Sequence, residues 1–445
     1  METVLFFPAY AYGHINRCFN IAGRLRDQYR VVFVSELKYK DLITSQGFEF
    51  RPLALSFSKV NHEQVDLWAF IKYFFFLIRR PDIRKNRRKS FLKEIDFFRE
   101  VIKEINPKVV FLDIFLSHYF PVIDGLSTKG IIFQIYASTH RTSLNFPLNS
   151  DRVPENNLLG RLKSWVVWNN YFIKTWGNRL TVALLSMKTD NRSLFRLMYK
   201  NNGTEEGKVF DKNRAFFPGI RTAPEWVLTP QAFDFPGNRP LSNQTYFGLE
   251  VREDEYPDGV NESFERKWEQ LPHKNIIYCS FGSIPDVHFQ NSARFIELLC
   301  KIAEDSFPEY NFILSARGTE LSSIDLPPNV HTFSWVPQQK ILSASHLFIT
   351  HGGSNSIMES LYYEVPMLVC PLNSIWDQPG NAARVVYHGL GQRFIPGKDH
   401  KEELGQKISG LLQRREQIIS NIRKFKKAVN DQEICPLEKL KTDVR

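Results

Sequence analysis

Nowhere does the 445-residue sequence hold the ~20 consecutive apolar residues that a bilayer-spanning helix requires. The nearest approach, Leu67 to Ile78 ("LWAFIKYFFFLI"), is short and interrupted by Lys72. The opening "METVLFFPAYAYGH" is too short an apolar run for a secretory leader and breaks at Pro8, so it reads as a first buried strand. Cysteine is sparse: Cys18, Cys279, Cys300, Cys370 and Cys435 are scattered, odd in number and nowhere spaced as CxxC. This argues against a disulfide scaffold or a structural zinc site and leads to the expectation of a reducing, cytoplasmic compartment. No repeat, low-complexity tract, RNP or zinc-finger signature is present, so no nucleic-acid partner is expected.

What is present is alternation. "TVLFFPA", "YRVVFVSE", "FEFRPL", "PKVVFLD" and "GIIFQIYAS" read as strands, separated by amphipathic helices such as "HINRCFNIAGRLRDQ". Unbroken apolar runs of this kind belong to strands buried on both faces, and βα alternation implies a parallel, doubly wound sheet. The pattern blurs into Trp-rich helix and loop from Ser150 to about Phe217, then meets a segment rich in Pro, Gly and acid. It restarts with "NIIYCSFGS", "YNFILSA", "NVHTFSW", "HLFITH" and "MLVCPL" and ends in basic helix. The expectation is an α/β chain of two doubly wound domains: 1–235, a linker 236–258, 259–425, and a tail 426–445. Ligands of open α/β sheets sit beyond the carboxyl ends of the strands, so functional residues should follow strands.

Several clusters do. "HLFITH" delivers the chain to His351-Gly352-Gly353, where glycines allow positive φ and close approach to the backbone. Ser354, Asn355 and Ser356 then start a helix, a site suited to an anion, or simply a glycine turn with its cap. Glu359, one turn in, suits ribose hydroxyls. "CSFGS", with Gly282 and Ser283, suits a second phosphate. Trp335 in "SWVPQ" could stack on a flat base while the backbone from Val336 bonds its edge. Asp377 and Gln378 follow "MLVCPL" and suit vicinal hydroxyls. In the first half, His14 lies in a Gly-His turn after the first strand and Asp113 ends "VVFLD". A histidine oriented by a carboxylate can act as a general base; each residue alone could equally be a helix cap.

Trp335 to Gln378, "WVPQQKILSASHLFITHGGSNSIMESLYYEVPMLVCPLNSIWDQ", resembles the donor-binding signature of the UDP-sugar glycosyltransferases, an inverting family with the two-domain GT-B fold. Weaker similarity covers nearly the whole chain. The resemblance implies that Trp335 stacks on uracil, that Gln338 lies beside the base and that Glu359 holds the ribose. His351, Gly353, Asn355, Ser356 and Ser283 would surround the pyrophosphate, and Asp377 and Gln378 would bind sugar hydroxyls. It also implies His14 as catalytic base, paired with Asp113, and a C-terminal helix returning to the N-terminal domain. Ser354 stands where plant members usually have Trp, so the version is closer to bacterial members, the natural-product and carotenoid glucosyltransferases.

The resemblance makes the first domain the acceptor side and the second the nucleotide-sugar side. The expected reaction is transfer of a hexose, taken as glucose, from a UDP-sugar to a lipophilic small molecule, with no prosthetic group and no metal. Tyr12, Ile15, Phe74 and His140 are candidates for the acceptor pocket; His62 and His118 are weaker. A same-fold epimerase and a non-catalytic UDP-binding partner are the rivals, and the His14/Asp113 pair speaks against both. The net charge of +10 is partly local: Arg79, Arg80, Arg84, Lys85, Arg87, Arg88 and Lys89 follow the aromatic run. Two readings of 67–89 stand open. It forms a greasy acceptor wall beside a basic face resting on anionic membrane, or core aromatics followed by solvated charge.

Overall fold

The computed structural model describes residues 1–53, 55, 67–249, 251, 260–271, 273–282, 289–315, 324–431 and 434–444. In the first half lie β1 (Glu2–Phe7), β2 (Tyr29–Ser35), β3 (Glu49–Pro52), β4 (Val109–Asp113) and β5 (Lys129–Gln134). A small antiparallel pair, β6 (Phe210–Asp211) and β7 (Gly219–Ile220), precedes β8 (Glu225–Val227) and β9 (Gln244–Tyr246). The second half holds β10 (Ile276–Ser280), β11 (Asn311–Ser315), β12 (Val330–Phe333), β13 (Ser345–Thr350), β14 (Met367–Val369) and β15 (Gly391–Arg393).

Two parallel sheets result, ordered β3-β2-β1-β4-β5-β8-β9 and β12-β11-β10-β13-β14-β15. Their centres are dry because the central strands are apolar at successive positions: Val4 to Phe7 and Val109 to Leu112 are almost wholly buried. Val4 and Phe6 belong to one layer of the core and Leu5 and Phe7 to the other, as expected of strands covered by helices on both faces. In each sheet the strand order reverses once at the centre. In the first sheet that point lies between β1 and β4, in the second between β10 and β13. Crevices at such reversals are where open α/β sheets place their ligands.

All the strands expected from the sequence are present. Strands β6 to β9 and β15 go beyond the expectation; at two or three residues each, they are too short for a side-chain period to register. Strand β9 extends the first sheet from within the segment read as linker. The blurred region holds one long helix, Leu158–Leu185, followed by the shorter helices Asn191–Asn201 and Glu206–Val209. In the aromatic stretch the reading as core fails: Trp68, Tyr73, Phe75, Phe76 and Ile78 are exposed, while Leu77 is buried.

The two halves are locked by buried polar contacts. The Arg384 guanidinium donates to Asp234 Oδ1 at 3.0 and 3.2 Å, and Asp234 also accepts from the Ser138 N–H and the Asn238 amide. The backbone N–H of Gly380 donates to the Leu148 carbonyl at 2.9 Å. At the end of the chain, the helix Pro436–Val444 packs on the helix Tyr12–Leu25, and Trp226 Nε1 donates to Asp443 at 2.8 Å. The C-terminus therefore returns to the first sheet. Position 380 tests the seam most directly, since a Cβ there would lie 2.2 Å from the Leu148 carbonyl oxygen. Gly380→Ala is expected to destabilise the protein by about 1–3 kcal/mol, as overpacking does. An unchanged thermal or urea midpoint would show that the seam can open without cost.

Candidate functional site

The first cluster forms at the reversal of the first sheet. Phe7 pairs with Leu112, so the turn after β1 meets the end of β4. The Asp113 carboxylate is wholly buried and accepts from three sides: Ala9 N at 3.1 Å, Phe115 N at 2.9 Å and His14 Nδ1 at 2.7 Å. His14 occupies the first turn of its helix and is itself buried. Its other nitrogen, Nε2, lies 2.9 Å from the Tyr136 hydroxyl. Burial, with Asp377 and Asp113 nearby, pushes the Tyr136 phenol well above its ordinary value, so this hydroxyl stays protonated. The Asp113 carboxylate accepts from Nδ1, so in the neutral imidazole the proton sits there, Nε2 is the acceptor and the Tyr136 hydroxyl donates to it. A histidine held this way presents a lone pair to whatever occupies the Tyr136 side.

The second cluster forms at the reversal of the second sheet. Gly282 follows β10 with φ +87° and Gly352 follows β13 with φ +89°, conformations that favour glycine. The His351 ring fits between Gly282 and Gly353; a Cβ at either position would stand within 2.8 Å of it. The helix Ser354–Tyr362 then begins at Gly353 with no side-chain cap, leaving its first N–H groups and positive dipole end at the crevice. Nearby, Gln338 Nε2 donates to Glu359 Oε2 at 2.5 Å and the Tyr278 hydroxyl donates to Gln338 Oε1 at 3.0 Å. Ser356 lies 3.4 Å from the same Gln338 amide. Trp335 is half-buried beyond β12 and Val336 is buried behind it. Ser283 lies outside the described residues, as does His62.

The clusters meet. Asn355 Nδ2 donates to the Gly13 carbonyl at 2.9 Å, and Ser354 Oγ donates to the Ile135 carbonyl at 2.8 Å. These bonds set the start of the Ser354–Tyr362 helix against the turn that carries His14. Asp377 and Gln378 arrive on the loop after β14. Burial pushes the Asp377 carboxyl up to about 6, only partly offset by the Asn381 amide, which donates at 2.7 Å, and by the charges of His14 and Arg384. Gln378 Oε1 accepts from Leu372 N and Asn373 N, both at 3.0 Å, so its amide NH2 is the group left for a ligand.

Of the pocket candidates, Tyr12 is half-buried beside His14, and Phe74 is half-buried on the distant helix Leu67–Arg79. Ile15 is wholly buried and belongs to the hydrophobic core rather than to a pocket wall. His140 is buried, bonded to Ser138 Oγ at 2.7 Å, and held below its ordinary value by burial and by Arg214. His118 is half-buried and held low by its apolar surroundings and by Arg192, Arg179 and Arg196. Sequence reasoning missed Tyr136 and Trp376. Phe115 lies 4.9 Å from the His14 ring, 4.1 Å from Phe217 and 5.5 Å from Trp376, and Trp376 is also 5.5 Å from Phe216. Tyr136 stands two residues past β5, so the rule that functional groups follow strands could have found it.

A family model described as UDP-glucoronosyl and UDP-glucosyl transferase matches residues 175–440. The chain is 40% identical over 119 residues to a zeaxanthin glucosyltransferase of Pantoea ananas, covering 26% of each chain. It is 29% identical over 218 residues to an ecdysteroid UDP-glucosyltransferase of Lacanobia oleracea granulosis virus, covering 48% of this chain and 45% of the viral protein. The chain spans less than half the length of the curated relatives it matches first, 32% to 45%. Among solved structures, the calicheamicin glycosyltransferase CalG4 superposes with a TM-score of 0.63 at 14% identity, covering 100% of this chain and 98% of that one. That likeness establishes the two-domain GT-B fold.

Proposed function

Because the chain belongs to the UDP-glucoronosyl and UDP-glucosyl transferase family, we propose that it transfers a hexose from a UDP-sugar to a hydroxyl of a lipophilic small molecule, inverting the anomeric carbon. UDP-glucose is the proposed donor. The observation that carries this reading is the buried His14–Asp113 pair, 2.7 Å apart, standing against an uncapped helix start from the other half of the molecule.

Each part then has a task. His14 Nε2 takes the proton of the acceptor hydroxyl as its oxygen bonds the anomeric carbon. The bond from that carbon to the phosphate oxygen breaks, its electron pair leaving with UDP. Asp113 stabilises the imidazolium and keeps the tautomer. The N–H groups at the start of the Ser354–Tyr362 helix, with Ser356, His351 and Gly353 around them, meet the charge that develops on UDP. Trp335 stacks on uracil, Gln338 and Glu359 take the base edge and the ribose, and Asp377 with the Gln378 amide takes the sugar hydroxyls. The acceptor hydroxyl takes the place of the Tyr136 hydroxyl on Nε2, and the rings of Phe115, Phe216, Phe217 and Trp376 give it flat apolar walls. Those walls support a lipophilic acceptor. The first half is then the acceptor-binding domain and the second the donor-binding domain. All five cysteines are free thiols, which supports a cytoplasmic setting. A lipophilic acceptor partitions into membranes, so peripheral contact with an anionic membrane belongs to the same reading.

The direct test is UDP release from UDP-glucose without added metal, over a panel of hydroxylated lipophilic acceptors, with mass spectrometry for the added hexose. Tight UDP binding with no acceptor-dependent release across donors would favour a non-catalytic UDP-binding role. His14→Ala is expected to lower kcat by about 10²-fold or more with UDP affinity little changed; near wild-type turnover would remove His14 from the mechanism. Tyr136→Phe keeps the ring and removes the competing donor. It should lower the acceptor KM about fivefold, the worth of one hydrogen bond of ~1 kcal/mol, with kcat retained. A large loss of kcat would instead place the phenol in the proton path. The Asp377 carboxyl accepts sugar hydroxyls best when ionised, so the advantage of UDP-glucose over UDP in calorimetry should shrink as pH falls through about 6. Asp377→Asn should flatten that dependence. For folding, the same raised carboxyl contributes stability below its ordinary value of 3.8 that is lost as pH rises through about 6.

A further inference from the structure

The helix Leu158–Leu185 is the longest in the chain, about 42 Å at 1.5 Å per residue. It buries one narrow face, with Gly160, Ser164 and Trp168 turned inward. The opposite face is apolar and open. Leu158, Leu162, Trp165, Ile173, Trp176 and Leu180 are all exposed, Trp165 by 58%, Ile173 by 68% and Trp176 by 66%. At 100° per residue these six fall within an arc of about 80°, a ridge interrupted at its middle by half-buried Asn169, which accepts from Arg141. Cations border it: Arg161 and Arg179 along one edge, Lys174 along the other, with Lys163 there already paired to Glu155 at 2.8 Å. The helix contains no Asp or Glu.

The neighbouring surface has the same character. The helix Leu67–Arg79 packs alongside and adds exposed Trp68 (71%), Phe75 and Ile78. Among the described residues, the centre of the basic run that follows meets no carboxylate: Arg84 donates to Met187 Sδ and Arg87 to Asn191 Oδ1. No helix among the described residues is long and apolar enough to cross a membrane. A face of this kind has two natural occupants, a second copy of the chain or a lipid surface. Two copies meeting ridge to ridge would bring Arg161, Lys174 and Arg179 of one against those of the other, with no acid on the helix to pair them. An anionic bilayer satisfies both parts. The apolar ridge enters the boundary between head groups and acyl chains, and the long Lys and Arg side chains reach the phosphates.

We infer that the Leu158–Leu185 ridge, with the helix Leu67–Arg79 beside it, docks the protein flat onto an anionic lipid bilayer. The inference deepens the reading above, on which its purpose rests: a lipophilic acceptor would be met where it is dissolved. The surface itself is independent of the His14 chemistry, so each can fail alone.

The experiment is flotation of the full chain with vesicles of phosphatidylcholine containing phosphatidylglycerol, and with phosphatidylcholine alone, at 0.1 M and 1 M salt. The wild type is expected to float with the anionic vesicles at 0.1 M salt and to lose most of that binding at 1 M, where screening shortens to about 3 Å. Trp165→Asp combined with Trp176→Asp should reduce the bound fraction by about tenfold or more. Because both side chains are exposed, that variant should keep the wild-type melting midpoint and UDP affinity. Failure of the wild type to float with anionic vesicles at 0.1 M salt overturns the inference, as does flotation that the double variant leaves intact. A dimer in light scattering that the double variant dissolves, without lipid binding, would assign the ridge to a second copy instead. Flotation without hexose transfer would leave the docking surface standing and count against the transferase; transfer without flotation would do the reverse.

Discussion

The Asp113 carboxylate is the constraint around which the first half of the molecule is arranged. A charge buried completely is tolerated only when its lone pairs are met, and here Ala9 N, Phe115 N and His14 Nδ1 meet them. Those donors come from the turn after β1, the turn after β4 and the first turn of a helix. Satisfying one carboxylate therefore ties three pieces of backbone together at the reversal of the sheet. It also decides which nitrogen of His14 carries the proton. The hydrogen bonds that satisfy the buried charge also leave His14 Nε2 with a directed lone pair.

The second half is brought to this point by contacts that serve position before binding. Ser354 and Asn355 spend their side chains on the Ile135 and Gly13 carbonyls, which leaves the first turn of their helix uncapped and facing the crevice. Behind them, the Arg384–Asp234 pair is buried with its remaining lone pairs bonded, an arrangement in which loss of either partner strands a charge. Gly380 lets the backbones of the two halves approach to hydrogen-bonding distance. Trp376 crosses in the same region to stack near Phe115, one residue before Asp377. Trp376, which packs on the first half, and Asp377 are thus carried by one short loop, so a displacement at one is felt at the other.

The outer surface obeys a different economy. The helix Leu158–Leu185 has apolar residues where a soluble helix has charges, and cations only along the borders of that face. Its pattern fails as a core helix because the apolar arc points away from the sheets. This explains why the region between Ser150 and Phe217 resisted a simple reading: the period is helical, but the side it favours is the wrong one for a core. The aromatic run at 67–78 misleads in the same way, since a hydrophobic side chain implies an apolar neighbour without stating whether that neighbour is protein.

Much of the fold was legible because its signals are local. Runs such as "VVFLD" and "LFIT" can only be strands buried on both faces, and a glycine pair after a strand marks a place where backbone must come close to something. From these the two doubly wound sheets follow, and with them the edge at which His14, Asp113, Gly353 and Asp377 had to lie. The tertiary structure alone decided what those groups touch. Tyr136 meets His14 across 122 residues of chain and Asn355 meets Gly13 across 342, separations at which no period or spacing carries information. It also withdrew Ile15 into the core and turned the long helix outward, because burial depends on what packs against a residue, and the residue's own chemistry states only its preference.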